Sequence, residues 1–570
     1  MQIIRGAKFS RKTGHARGLL LAVSLLAASS AMAAGVTVLS AQDIRTMDPQ
    51  QPRVQAMAFD DSGAIVALGD ADELLRRYPD AGRIDAGEAT VIPGLIDAHG
   101  HVAGLGITQM QADLVGAASK DEVLQRLRAF AADLPADAWL LGGGWDQNDW
   151  PEHAFPTAAD LDAAFPDRPV WLSRVDGHAG WANSAAMAVI GRDLSGNGSQ
   201  GDWHPDGGRI VRDAEGLATG IFVDGAMSLL DSKIPPMDAA AHEHALALGM
   251  RMAVEHGLTG VHDAGVSLQQ MRAYQALADR GEMPLRIHAM ADGDSEALAW
   301  LCENGAYAHP GGRLQMRAVK LYIDGALGSR GAALIEDYSD DAGNHGLLMM
   351  SPEEMVDVAA RAKGCGVQVA THAIGDRGNR VVLDAYRQVL GDDAGTDHRW
   401  RIEHAQILTG ADIPRFAALG VIASMQPTHA TSDMPWAEDR LGPQRIQWAY
   451  AWRKLRDTGA RLALGSDFPV ESVDPRLGLY AAATRTDAEG APAGGWHPQE
   501  KLTAWEALRG FTTDAAYAGF AEDRIGSLAV GKRADFVLLA QDPLEIAPSQ
   551  LDELDVLATY VDGEAVYRRP

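Results

Sequence analysis

Apolar runs that each end in one or two chemically capable side chains recur along this chain, with helical stretches between them. The first, Val91–His101 (VIPGLIDAHGH), is punctuated by Pro-Gly, reads as a buried strand and closes on His99 and His101. Later runs are GLTGVHDAG at His262 and Asp263, LRIHAM at His288, MRAVKLYIDG at Lys320 and Asp324, and VQVATHAIGD at His372 and Asp376. RIEHAQ at Glu403 and His404, VIASMQPTH at Gln426 and His429, and RLALGSDFPV at Asp467 complete a set of eight. The intervening PEEMVDVAARAKG and GNRVVLDAYRQVLG have helical spacing. Eight strand–helix alternations predict a (β/α)8 barrel of the TIM type, an α/β fold in which polar residues at the C-terminal strand ends gather over one face. The scattered histidines are therefore expected to meet there. His288 and His429 also fit ordinary packed or surface imidazoles, and for His288 the packed ring is the preferred reading.

Other patterns occupy the rest of the chain. The stretch 105–245, between the first and second barrel strands, is too long to stay structureless in a compact domain and is expected to form an inserted α+β subdomain. Its segments GGGWDQNDW, VWLSRVDGHAGWAN and GIFVDGAM place aromatic and polar residues after glycines or strand ends, so Trp145, Asp146, His178 and Asn183 read as cleft-lining. Trp145, Asp146 and His178 are candidate substrate contacts, whereas Trp181 reads as a plug between insert and barrel. Arg330, in GSRGAA, either grips a substrate carboxylate in bidentate fashion or pairs within its own loop. Residues 34–90 and 516–570 carry short alternating segments such as VQAMAFDD and ADFVLLAQ, typical of antiparallel strands, and 246–515 hold the remainder of the barrel.

Two neutral imidazoles at the spacing of His99 and His101 can grip one metal ion, although such pairs are common by chance. The series PGLIDAHGH, VKLYIDGALGSRGAAL, THAIGD, EHAQ, GSDFPV and IGSLAVGKRADFVLLAQDPL is more specific. In content and order it resembles the amidohydrolase superfamily, in the subgroup that includes N-substituted formamide deformylases. The resemblance implies that His99 and His101 hold one divalent metal ion and that His372 and His404 hold a second. It implies that Lys320 bridges the two as a carbamate, a role closed to an ammonium, which only donates. Asp467 would complete the metal set and serve as general acid/base, and both chain ends would pair into one small β-sandwich. Imidazole and carboxylate donors suit zinc, whose coordinated water has a pKa of roughly 7. The implied chemistry is hydrolysis of a C–N bond in a small N-acyl or N-formyl amine. A deaminase or another hydrolase of the same superfamily is the alternative, and a non-catalytic exported binding protein gives no reason for Asp467.

Composition narrows the picture. At 570 residues the chain exceeds a plain barrel of about 250, and 46% hydrophobic with 22% charged residues can bury a large core. A formal charge of −27 argues against nucleic acid and anionic membrane surfaces as partners. Residues 1–33 read as a signal peptide: Arg5, Lys8, Arg11, Lys12 and Arg17 precede the apolar GLLLAVSLLAASSAMAA, which ends in the small-residue pattern Ala31-Met32-Ala33. Export to the periplasm or beyond follows, with no membrane anchor left after cleavage. The two cysteines, Cys302 and Cys365, are not expected to staple the fold.

Overall fold

The computed structural model describes residues 35–132, 134–135, 138–175, 177, 179–192, 194, 203, 205, 208–293 and 295–570. The signal segment and His178 therefore lie outside the described residues. Eight parallel strands, buried on both faces, form the barrel: β1 (Leu95–Gly100), β2 (Leu258–Val266), β3 (Arg286–Asp292), β4 (Leu314–Tyr322), β5 (Gln368–Ala373), β6 (Arg401–His404), β7 (Ile422–Met425) and β8 (Leu462–Leu464). Hydrogen-bonded pairing runs from β8 in descending order to β1. Closure comes just beyond β8, where Asp467 donates its N–H to the His99 carbonyl (2.7 Å) and His101 donates to the Phe468 carbonyl (2.8 Å). These bonds bring the ends of β1 and β8 together, and with them His99, His101 and Asp467.

The helices outside the barrel follow local signals. Pro352–Gly364 begins with a capping box, Ser351 with Glu354, and has proline at its first turn. The helix Asp376–Leu390 buries Asn379, Val382, Leu383, Tyr386 and Leu390, an i, i+3, i+4, i+7 stripe turned to the sheet.

Both chain ends meet in the small β-sandwich, a sheet of eight strands: seven form one path from Glu564–Arg568 through Thr90–Pro93 and Val36–Arg45 to Ile65–Gly69, and Gly82–Asp85 pairs beside Val36–Arg45. The path curls so far that the rings of Phe59 and Phe536 lie 6.0 Å apart although three strand pairings separate them. Arg286, the first residue of β3, ties this layer to the barrel floor through Asp535 (2.6 and 2.8 Å) and Asp562 (2.6 Å). Among the described residues the insert forms a sheet of six strands between Ala112 and Asp224 with its own core of Trp145, Trp150, Trp181, Leu140 and Leu172.

One expectation is overturned here. Cys302 and Cys365 form a disulfide, with Cα atoms 4.9 Å apart across a separation of 63 residues. Cys302 lies in the helix Glu296–Asn304 and Cys365 caps Pro352–Gly364. The helices that follow β3 and β4 come together outside the barrel, a proximity invisible in cysteine spacing. Closing so long a loop restricts the unfolded chain, so Cys302→Ser is expected to lower stability by about 2–4 kcal/mol. Denaturant unfolding of oxidised wild type beside the variant checks this; coincident midpoints would leave the bridge without mechanical weight.

Candidate active site

Each barrel strand delivers its reactive residue to the same end. His99 and His101 leave β1, Lys320 lies near the end of β4, His372 near the end of β5, His404 closes β6, and Asp467 follows β8. His404 and Asp467 sit at φ 72° and 66°, left-handed backbone that neither residue adopts without strain, on the order of 1–3 kcal/mol. The turns at these two positions take the chain off the strand direction where the reactive side chains are set.

The imidazoles are oriented by their Nδ1 partners. His101 Nδ1 lies 2.9 Å from the Ala264 carbonyl, His99 Nδ1 lies 2.5 Å from a Glu403 oxygen, and His404 Nδ1 lies 2.8 Å from Gln426 Oε1. A carbonyl and a carboxylate only accept, so His101 and His99 carry the proton on Nδ1 and present Nε2 as a lone pair. His101 Nε2 is then 3.0 Å and His99 Nε2 3.5 Å from Asp467 Oδ1. Acceptors held this close are favoured by a cation beside them; at His99 Lys320 Nζ stands 3.0 Å from Nε2, and at His101 a proton or a metal ion fits that place. On the other side of Asp467, His429 Nε2 lies 3.6 Å from Oδ2. Two three-residue groups thus share one carboxylate: His99, His101 and Asp467, and His404, His429 and Asp467.

Lys320 is buried, with Nζ 3.0 Å from His99 Nε2. His372 adjoins the second group, its ring centroid 4.6 Å from that of His404, but belongs to neither group, and its Nε2 lies 3.6 Å from Asp324 Oδ1. The Nε2 atoms of His372 and His429 are buried without a hydrogen-bond partner among the described residues. Such an orphan costs about 1–3 kcal/mol unless a ligand takes it. Neutral imidazoles, unpartnered nitrogens and a central carboxylate fit a divalent metal ion.

Electrostatics keep these groups in ligand form. Burial, reinforced by Lys320, lowers His99 to about 4 and His372 to about 3. Burial also lowers Lys320 to about 8, which makes the free amine accessible near neutrality. Burial alone would raise Asp467, but the close contact with His101 and the rings of His99, His404 and His429 hold it well below the usual carboxylate range. Glu403 follows the same pattern, drawn down against its burial by Arg401 and His99. Arg401 is fully buried and grips both Glu403 oxygens while donating to the Ala98 carbonyl and Ser424 Oγ, each at 2.5 Å.

Other polar side chains shape the surrounding loops. Asp324 accepts from the N–H groups of Ala333, Ile374 and Gly375 at 2.8–2.9 Å, and burial raises it to about 7. Asp263 accepts from Val102 N–H (2.9 Å) and the Tyr274 hydroxyl (2.7 Å), which anchors the start of the helix after His101.

Three expected substrate contacts take structural roles instead. Trp145 is fully buried in the insert, donates its indole N–H to the Leu172 carbonyl (2.9 Å) and packs 5.9 Å from both Trp150 and Trp181. Asp146 accepts from Asn148 N–H (2.9 Å) and pairs with Arg174 (2.6 Å). Arg330 resolves to its intraloop alternative, a bidentate pair with Asp340 at 3.1 and 2.8 Å. Aromatic and charged residues after glycine mark loop cores as readily as clefts. Asn183 is likewise structural, buried as the cap of the helix Ser184–Val189, and Trp181 lies in the insert core.

His429, Glu403 and Gln426 were visible as strand-end residues without an assigned role. The signal for Glu403 is its place two residues after Arg401, on the same face of a buried strand, where opposite charges pair.

His288, on β3, stands apart from this set. It is a packed ring whose Nε2 lies 3.1 Å from Gln368 Oε1, and burial lowers it to about 3. Its ordinary value is 6.5, so between those limits the unfolded chain binds the extra proton and acidification removes stability. The stability advantage of wild type over His288→Gln is expected to be full above pH 6.5 and to shrink steadily below it. Denaturant midpoints for the pair at several pH values read this, and a gap independent of pH would contradict it.

Comparison with known proteins agrees with this geometry. Residues 83–567 match the model of the amidohydrolase family. The protein YtcJ of Bacillus subtilis is 35% identical over 537 residues, 92% of this chain and 98% of that protein. An N-substituted formamide deformylase of Arthrobacter pascens is 32% identical over 550 residues, 92% and 97% of the two chains. Among solved structures, a metal-dependent hydrolase from Pyrococcus furiosus superposes with a TM-score of 0.75 at 28% identity, covering 90% of this chain and 100% of that one. With its eight-stranded barrel and its histidine–aspartate cluster at the strand ends, the chain belongs to the amidohydrolase family.

Proposed function

We propose that the protein is an exported, zinc-dependent amidohydrolase that cleaves the C–N bond of an N-acyl or N-formyl amine. The observation that carries this reading is the pair of three-residue ligand groups meeting at Asp467. Similarity to a protein named N-substituted formamide deformylase directs the choice of substrate class. The Cys302–Cys365 bridge supports export, because such bonds persist in oxidising compartments.

His99 and His101 would hold one ion and His404 with His429 a second, with Asp467 between them and His372 at the edge of the second group. When bound, such an ion polarises the substrate carbonyl and acidifies water. Asp467 takes a proton from the attacking water as the new C–O bond forms. It returns that proton to the amine nitrogen as the C–N bond breaks. Glu403 and Gln426 hold the rings of His99 and His404 so that neither swings during the reaction. Lys320, as a free amine, would take up carbon dioxide and release one proton, and the resulting carbamate would offer oxygen donors where an ammonium offers none.

Amine release from N-formyl and N-acyl amines, measured before chelation, after it and after zinc return, tests the function. Activity that falls and recovers with zinc supports it; no release from any such amine by zinc-loaded protein would overturn the substrate class. Elemental analysis of wild type and Lys320→Ala tests the bridge. About two ions per chain, falling in the variant, is expected; one ion unchanged by the substitution would remove Lys320 from the cage.

A further inference from the structure

A cavity lies at the end of the barrel opposite the histidine–aspartate cluster. It is framed by the start of β3 at Arg286, the start of β4 at Leu314, the middle of β2 at His262, and the segment 516–525. It measures about 70 Å³. That is room for roughly five waters, enough for a carboxylate with a short hydrocarbon body. Its position excludes it from the proposed hydrolysis, which uses the other ends of the strands.

The lining has a distinct chemistry. Ile287, Leu314, Phe520 and Ile525 supply apolar walls, and among the described residues no aspartate or glutamate lines it although the chain carries a formal charge of −27. Two of its arginines already have acceptors. Arg286 is bonded to Asp535, Asp562 and the Gly312 carbonyl, and Arg313 to Asp562, Glu564 and the Met283 carbonyl. Arg524 is different, because no hydrogen bond from its guanidinium joins it to any described residue.

His262 adds a second donor whose tautomer is settled by its neighbour. Its Nδ1 lies 2.9 Å from Arg401 Nη1, and a guanidinium only donates, so Nδ1 accepts and the proton sits on Nε2. Gly519 faces that nitrogen without a side chain: a Cβ there would stand 2.6 Å from Nε2. The lining therefore offers a guanidinium that Asp562 and Asp535 reach only through space, an imidazole N–H and apolar walls.

We propose that this cavity binds a short organic carboxylate, its head group on Arg524 and its hydrocarbon body against Phe520, Ile525, Leu314 and Ile287, with His262 Nε2–H as a second donor. An inorganic anion would satisfy the guanidinium but leave the walls without a partner. The site is independent of the hydrolytic reading and stands or falls separately from it.

Calorimetric titration of the mature, metal-loaded protein with hexanoate, benzoate and, in parallel, inorganic phosphate tests the proposal, using wild type, Arg524→Ala and Ala521→Trp. Because Arg524 bonds no described neighbour, its removal is expected to leave folding and basal hydrolysis unchanged. Saturable carboxylate binding is expected in wild type, weakened on the order of tenfold by Arg524→Ala through loss of the charge-assisted bond. It is expected to be abolished by Ala521→Trp, which fills the space. Three results would overturn the assignment: no carboxylate binding, binding equally strong in both variants, which would locate it elsewhere, or phosphate binding as tightly as the carboxylates.

Discussion

Asp467→Asn is expected to lower the turnover of an N-acyl amine by about 10²–10⁴-fold, the usual contribution of a positioned acid/base. Asparagine keeps the size of the side chain and tolerates the left-handed backbone at φ 66° nearly as well as aspartate. What it lacks is the negative charge that faces His99, His101 and His429 and the capacity to take and return a proton. Turnover must be read beside metal content in the same sample, because Asp467 belongs to both candidate ligand groups. Metal retained with activity lost isolates the proton-transfer role. Activity within a few-fold of wild type would remove Asp467 from the chemistry.

Glu403→Gln is expected to damage both stability and metal binding, through two separable routes. Glu403 is the counter-charge of Arg401, and both side chains are fully buried. Leaving that guanidinium without its carboxylate costs about 3–5 kcal/mol. The same substitution replaces the anion behind His99 Nδ1 with a neutral amide, a change that typically lowers metal affinity by about 10–100-fold. The double variant Glu403→Gln/Arg401→Met separates the routes: stability is expected to recover in large part, because no lone charge remains buried, while metal affinity stays low. Denaturant unfolding and metal titration of the three proteins read the two effects. If affinity recovered along with stability, the carboxylate would be serving the fold alone.

The barrel was legible because its strands are buried on both faces and appear as apolar runs of limited length, each with its reactive residue at the C-terminal end. The positions of His99, His101, Lys320, His404 and Asp467 at one rim follow from that pattern, since parallel strands of one barrel deliver like ends to like places. The insert was less legible. Its length announced a subdomain, but Trp145 and Asp146 were read by residue type as cleft-lining when they serve its packing and a turn. Arg330 had two partners open to it, and the choice fell to Asp340 ten residues away in the same loop.

By itself, then, the sequence determined the order of elements, the barrel class and the residues available for metal chemistry, because periodicity and strand-end placement are local properties. Only the tertiary structure decided the partners: that Asp467 stands between two histidine groups, that Glu403 and Arg401 back His99, and that Cys302 meets Cys365. Hydrogen bonds and ion pairs join residues separated by tens to hundreds of positions, 304 in the case of His99 and Glu403, and no local pattern encodes which distant side chain will complete them.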